Sequence, residues 1–318
     1  PGPMTLPDNP RPMTLPDGDH PDERCLDKGL PMIDPSSDDR ASGDVAAPPA
    51  VLRVPAEDIV VGTSPGDTVV HLEDVAVARG GREIWSEGTF DVPRGCIVGV
   101  IGPNGSGKTT FLQLLMGLLT PSAGSLEVLG ETPRRGNPCI GYVPQNYTAA
   151  VGDAVRCRDL VHLGLVGTRW GTGHGNLEPG KLVDEALTAV DAMGFADERM
   201  SEVSGGQQQR VAIAAGLVNS PKLLLLDEPL ANLDMRNQRE IAALLGRLAA
   251  ERNMTVFVVA HELNSLLEVL TSAVYLLDGH AHYDVIGKVV DAELLSHLYG
   301  TSIGVVRTPQ GDLFTRNA

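Results

Sequence analysis

Gly102-Pro103-Asn104-Gly105-Ser106-Gly107-Lys108-Thr109-Thr110 is the stretch around which the chain is organised. It follows an apolar run, Cys96 to Ile101, and precedes a run with helical spacing, Phe111 to Leu119. That context gives the pattern G-x-x-x-x-G-K-[ST] a physical meaning. A buried strand delivers the chain to a turn whose glycines put no Cβ in the way. Successive backbone N–H groups can then point inward at a phosphate oxyanion. The helix that follows adds its unpaired N–H groups and the positive end of its dipole. Lys108 is expected to reach the β- and γ-phosphates and the Thr109 hydroxyl to ligate Mg²⁺. The stretch predicts a nucleoside triphosphate site.

The rest of the composition narrows the class. A chain of 318 residues can hold one large α/β domain or two smaller ones. A formal net charge of −16 argues against binding nucleic acid by phosphate neutralisation and against docking on anionic lipid. Cys25, Cys96, Cys139 and Cys157 are scattered, with no C-x-x-C pair. Nothing in that spacing suggests a disulfide framework or a zinc site, and a reducing cytosol fits. No apolar run approaches the length of a membrane span, so a membrane role would come through a partner. The first residues are acidic and proline-rich, unlike a signal peptide.

Residues 1–66 read as a disordered, acidic, proline-rich extension with too little apolar surface to offset its ordering entropy. A direct repeat lies inside it, Pro3 to Asp8 recurring as Pro12 to Asp17, and local duplication explains it more simply than a docking motif. Order is expected from about residue 67. Val69 to Val77 and Glu83 to Val92 read as strands about a Gly80-Gly81 turn, an antiparallel β region. Ser122-Ala123-Gly124 breaks the chain before a strand at Ser125 to Leu129, and Cys139 to Val143 gives another. From about 147 to 218 the character is helical: Val155 to Leu165, Lys181 to Met193, and a helix opening near Gly206. Gly167 to Gly180 between them reads as a glycine-rich loop. This block predicts a helical subdomain inserted into a sheet domain. The strand Lys222 to Asp227, a helix from Met235 to Arg252 and the strand Thr255 to Ala260 then restore strand–helix alternation. The expected class is α/β with a mixed, largely parallel sheet around a P-loop.

Leu224-Leu225-Leu226-Asp227-Glu228-Pro229 is the second chemical landmark. An apolar strand ending in an acid sets that carboxylate at the C-terminal edge of the sheet, beside the phosphate loop. Asp227 is expected to hold Mg²⁺, and Glu228 to orient or polarise the attacking water. About 20 residues upstream, Ser204-Gly205-Gly206-Gln207 opens a helix and makes a second N-terminal anion site. One chain has little use for two such sites facing different ways, whereas two chains arranged head to tail use both.

From residue 67 to the end the chain resembles the ATP-binding subunit of ABC transporters. The motifs occur in the family's order and spacing: Walker A at Gly102 to Thr109 and Walker B through Asp227-Glu228. Gln145 matches the Q-loop glutamine, and Val203-Ser204-Gly205-Gly206-Gln207 matches the signature with Val203 in place of leucine. Ala231-Asn232-Leu233-Asp234 matches the D-loop and His261 the switch histidine. The resemblance implies a homodimer closing on two ATP molecules with Mg²⁺. Each ATP would lie between Walker A of one subunit and Ser204 and Gly206 of the other. Gln145 would sense Mg²⁺ and the γ-phosphate, His261 would help orient the water, and Asp234 would couple the two sites. Where the family stacks an aromatic residue on adenine, this chain has Arg79, whose guanidinium plane can stack on a base too.

The segments His261 to Leu267 and Leu294 to Gly300 resemble the ATPases of bacterial zinc, manganese and iron importers. That likeness implies a separate membrane permease, an extracytoplasmic substrate-binding protein, and a place on the cytoplasmic side of the membrane. It implies no nucleic-acid partner. ABC ATPases of other importers or exporters, and soluble ones without a permease, stay open. His280 and His282 alternate on a strand, with no third ligand evident in the sequence, and fit a surface strand better than a metal site.

Overall fold

The computed structural model describes residues 67–145, 147, 154–166, 178–260, 263–307 and 313–317. The extension at 1–66, His261, and most of the Gly167 to Gly180 stretch lie outside them. Nine strands form one sheet in the order β4-β1-β2-β9-β8-β3-β7-β6-β5. Its antiparallel wing is built from β1 (Thr68–Arg79), β2 (Arg82–Pro93) and β4 (Ala123–Val128). The parallel part runs through β3 (Ile97–Ile101), β5 (Ile140–Val143), β6 (Leu223–Asp227), β7 (Thr255–Val259) and β8 (Ser272–Leu277). Strand β9 (His280–Val285) returns antiparallel to β8 and touches β2, joining the two parts.

The central strands read as unbroken apolar runs because both faces of the sheet are covered. On β6, Leu223 and Leu225 pack into a core with Phe111, Leu112 and Phe257. Leu224 and Leu226 pack on the other side with Ile213, Leu245 and Leu248. The same alternation divides Phe257 and Val259 from Val256 and Val258 on β7. A one-residue slip of either strand would exchange the two cores.

Helix α1 (Lys108–Leu115) lies under the first core. Its boundaries differ from the expected Phe111 to Leu119. Gly117, at φ +66°, stops it: the Gly117 N–H donates to the Leu114 carbonyl at 2.9 Å and the Leu118 N–H to the Gln113 carbonyl at 2.9 Å. That pair of bonds is a Schellman end, which satisfies the last carbonyls and turns the chain away. Likewise Ala123 and Gly124 belong to β4 instead of breaking the chain before it.

The second core is helical: α2 (Cys157–Val166), α3 (Pro179–Ala189), α4 (Gly205–Leu217) and α5 (Met235–Arg252) contribute to it. Here α4 comes unusually near its neighbours. A Cβ on Gly141 of β5 would meet the Gly216 carbonyl oxygen of α4, and one on Gly164 of α2 would lie 2.5 Å from the Ala215 carbonyl oxygen. The spacing on both flanks is therefore set by main chain. Gly141→Ala should cost about 2–3 kcal/mol, because Leu224 Cδ1 at 3.0 Å can shift but the Gly216 carbonyl is main chain and cannot turn aside. The expected readout is a melting midpoint lower by roughly 5–10 °C. An unchanged midpoint would show that β5 can separate from α4.

The chain closes with α6 (Ile286–Val289), α7 (Ala292–Tyr299) and a two-stranded sheet of β10 (Ile303–Arg307) and β11 (Leu313–Asn317). Among the described residues no helix is long and apolar enough to cross a membrane.

Candidate nucleotide site

Three parallel strands, β3, β6 and β5, end at the same edge of the sheet, and the residues that follow them build the site. After Ile101 the loop turns on Gly102, Gly105 and Gly107, at φ +153°, +82° and +100°. The loop is backed tightly. A Cβ on Gly107 would sit 2.6 Å from Ile84 Cγ2 and 3.1 Å from Trp85 Cδ1. One on Gly102 would meet Ser106 Oγ at 2.6 Å and the Leu276 carbonyl at 2.7 Å. Glycine is required at both places by space as well as by φ. The loop runs straight into α1, whose first-turn N–H groups have no partner within the helix.

Lys108 is 7% exposed, and its Nζ donates to the carbonyls of Gly102 at 2.8 Å and Pro103 at 3.0 Å. Burial pushes its pKa below the ordinary lysine value, and the carboxylates of Glu228 and Asp227 act in the opposite direction. An ammonium held on loop carbonyls is ready to exchange them for phosphate oxygens. Ser106 Oγ is buried with no hydrogen-bond partner among the described residues. A cavity of about 240 Å³ flanks the loop there, between Asn104 to Ser106, Trp85, Leu276 and His280.

Asp227, 5% exposed at the end of β6, accepts a hydrogen bond from Thr109 Oγ1 on Oδ2 at 3.0 Å. A hydroxyl and a carboxylate oxygen paired in this way are hard donors of the kind Mg²⁺ takes. Glu228 has left-handed backbone, φ +52°. Its N–H donates to the Val259 carbonyl of β7 at 3.2 Å, and its own carbonyl accepts from the Ala231 N–H at 3.2 Å. A glutamate in that region is strained, and the two backbone bonds hold it there. Its Oε2 accepts from Gln145 Nε2 at 2.6 Å. The structure thus brings Lys108, Thr109, Gln145, Asp227 and Glu228 to one place. Pro103, Asn104, Gly105 and Thr110 sit on the same loop and helix start.

Ser204 and Gln207 form a reciprocal cap on α4: the Gln207 N–H donates to Ser204 Oγ and the Ser204 N–H to Gln207 Oε1, at 3.4 and 2.8 Å. Gly206 is buried against α5, where a Cβ would strike Asn237 Oδ1, and Gly205 faces Leu233. Among the described residues no hydrogen bond joins 204–207 to 102–110. Asp234 caps α5, accepting from the Asn237 N–H at 3.0 Å and from its Nδ2 at 2.5 Å. The Asn237 backbone bond leads in holding the Asp234 carboxyl below its ordinary pKa.

Arg79 lies exposed at the end of β1, opposite Arg82 across the hairpin. His280 Nδ1 lies 3.3 Å from Glu87 Oε2, and His282 stacks on Tyr275 at a centroid distance of 5.0 Å. Sequence reading passed over Ile84 and Trp85 behind the loop, and Arg210, which binds the Val190 carbonyl, Asp191 and Glu240. It also passed over Gln238, four residues beyond the cap Asp234. Its side-chain partners, the Leu230 and Leu233 carbonyls and Ser265, leave no local pattern in the sequence.

A family model described as ABC transporter matches residues 86–231. A probable metal transport system ATP-binding protein of Chlamydia trachomatis is 36% identical over 195 residues, 61% of this chain and 81% of that protein. The phosphonates import ATP-binding protein PhnC of Escherichia coli O6:H1 is 32% identical over 249 residues, 73% of this chain and 94% of that one. Among solved structures, a transporter assigned to the metal-chelate ABC type, in an inward-facing conformation, superposes with a TM-score of 0.68 at 26% identity. It covers 79% of this chain and 97% of its own. The dimeric structure of the bacterial ABC transporter cassette MJ0796 superposes with a TM-score of 0.56 at 28% identity, covering 68% and 98%.

Proposed function

This chain belongs to the ABC transporter family as an ATP-binding cassette, and from that premise we propose that it is the ATP-hydrolysing subunit of a metal-cation or metal-chelate importer. The observation that carries the hydrolytic part is the pair of bonds Thr109–Asp227 and Gln145–Glu228. They draw three stretches separated by 118 and 83 residues onto the edge of the sheet where the phosphate loop lies. Gly102 to Thr110 hold the phosphates through backbone N–H groups, and Lys108 binds the β- and γ-phosphates. Thr109, Asp227 and Gln145 hold Mg²⁺, which when bound neutralises the phosphate charge. Glu228 takes up or orients the proton of the attacking water, and His261, outside the described residues, assists. Arg79, exposed at the end of β1, would stack on the base.

The second half of each site comes from another copy of the chain. Ser204, Gly205, Gly206 and Gln207 cap a helix without bonding their own phosphate loop, which supports a head-to-tail pair. The dimeric cassette among the neighbours supports it too. Asp234 lies at the start of α5, beside that half-site, and communicates between the two.

The metal cargo has support from the named metal-transport relative and from the metal-chelate transporter. A phosphonate importer is the second reading, favoured by the longer match to PhnC. In either case the chain works on the cytoplasmic face of a membrane, bound to a permease that receives cargo from an extracytoplasmic binding protein. Co-purification from gently solubilised native membranes tests this. A polytopic permease with a binding protein that takes up a transition metal in isolation is expected. A binding protein that takes phosphonate instead would replace the cargo, and recovery without any integral membrane protein would overturn the transporter role.

A further inference from the structure

We infer that Gln238 is a positioning residue that locks the loop carrying Glu228 to the segment following His261, so that both sides of the reacting phosphate are set together. Gln238 is the fourth residue of α5 and half-buried. Its Nε2 donates to two carbonyls of the preceding loop, Leu230 at 3.3 Å and Leu233 at 3.2 Å. Its Oε1 accepts from the Ser265 hydroxyl at 2.7 Å. Carbonyl oxygens can only accept, so the amide orientation follows from chemistry: the NH₂ end must face the loop and the oxygen must face Ser265.

One end of this bridge is tied to the segment of Glu228, and the other lies four positions along the sequence from His261, which is outside the described residues. The 230–233 loop is continuous with Glu228, whose carbonyl takes the Ala231 N–H and whose left-handed backbone leaves it dependent on its surroundings. Ser265 stands four positions after His261. It lies in a turn closed by the Leu266 and Leu267 N–H groups on the Leu263 carbonyl and anchored by those three buried leucines. Gln238 itself touches neither phosphate-loop residue nor Glu228 side chain in the hydrogen bonds described, so its effect on the reaction is through geometry. This role presupposes the hydrolytic site proposed above.

The test is steady-state ATP hydrolysis by the full chain for Gln238→Leu, Ser265→Ala and the double variant, with fluorescent-nucleotide affinity and melting midpoint measured alongside. Gln238→Leu keeps the volume and removes the bridge, and kcat is expected to fall about tenfold with KM and nucleotide affinity within about twofold. Ser265→Ala should lower kcat about threefold, Ser265→Thr should restore it, and the double variant should be no slower than Gln238→Leu. A Gln238→Leu rate within about twofold of wild type, or independent multiplication of the two effects, overturns the coupling. If Gln238→Leu fails to fold, Ser265→Ala against Ser265→Thr decides: equal rates for both overturn it. An inactive wild-type chain would overturn the hydrolytic reading and this role together, whereas an active wild type with an unaffected Gln238→Leu overturns this role alone.

Discussion

Glu228→Gln is expected to slow ATP hydrolysis by about 100-fold or more while leaving ATP binding intact, because a positioned proton acceptor is worth that much. The substitution keeps size and shape and removes the negative charge and the basicity, while its remaining carbonyl oxygen can still accept from Gln145. Glu228 sits at the end of β6 next to Asp227, and its main chain is held by Val259 and Ala231. None of those bonds uses the side chain, so the loop should survive the change. Lys108, Thr109 and Asp227, the residues proposed to meet the phosphates and Mg²⁺, are untouched. Binding without turnover should therefore accumulate the ATP-bound pair of chains, visible as a shift from monomer to dimer mass in light scattering with ATP. Hydrolysis near the wild-type rate would remove Glu228 from the role given to it.

Lys108→Ala should have the largest effect on binding, weakening nucleotide affinity by about 100-fold, the worth of a charge-assisted contact pair removed from a buried site. Two effects add. The ammonium proposed to meet the phosphates is lost, and Asp227 and Glu228 are left facing a triphosphate without it. Lys108→Arg should recover little, since the site leaves the side chain 7% exposed and a guanidinium fork needs more room than an ammonium. Titration with a fluorescent ATP analogue reads both variants. Affinity equal to wild type in Lys108→Ala would mean that phosphates are not bound at this loop.

The fold was legible in the sequence wherever burial was two-sided. Leu223 to Leu226 and Val256 to Val259 are apolar without interruption because both faces of β6 and β7 are covered, and runs this short between turn signals read as buried strands. Helix α5 was read to its ends, since Asp234 caps it and Asn253, at φ +46°, closes it. The end of α1 was misread because Leu118 and Leu119 continue the apolar spacing past Gly117, and the spacing carries no trace of the two backbone bonds that end the helix. In the site, the charged and glycine positions were visible because their chemistry has few substitutes. What could not be read was pairing across the chain: nothing local to Gln145 announces Glu228, and nothing local to Gln238 announces Ser265. Those contacts exist only once β5, β6 and β7 lie side by side.

The contact of α4 with β5 and α2 has a mechanical consequence. Elements separated by long side chains behave like blocks on rubber mounts, where a small push on one is absorbed by rotamer changes before the next one stirs. At Gly141 and Gly164 the carbonyls of Gly216 and Ala215 meet bare backbone, so the first contact on each flank is rigid. Gln145 follows β5 by two residues, and Ser204 heads α4. A nudge delivered at Gln145 should therefore pass along α4 toward Ser204 as a movement of main chain instead of being absorbed by rotamers.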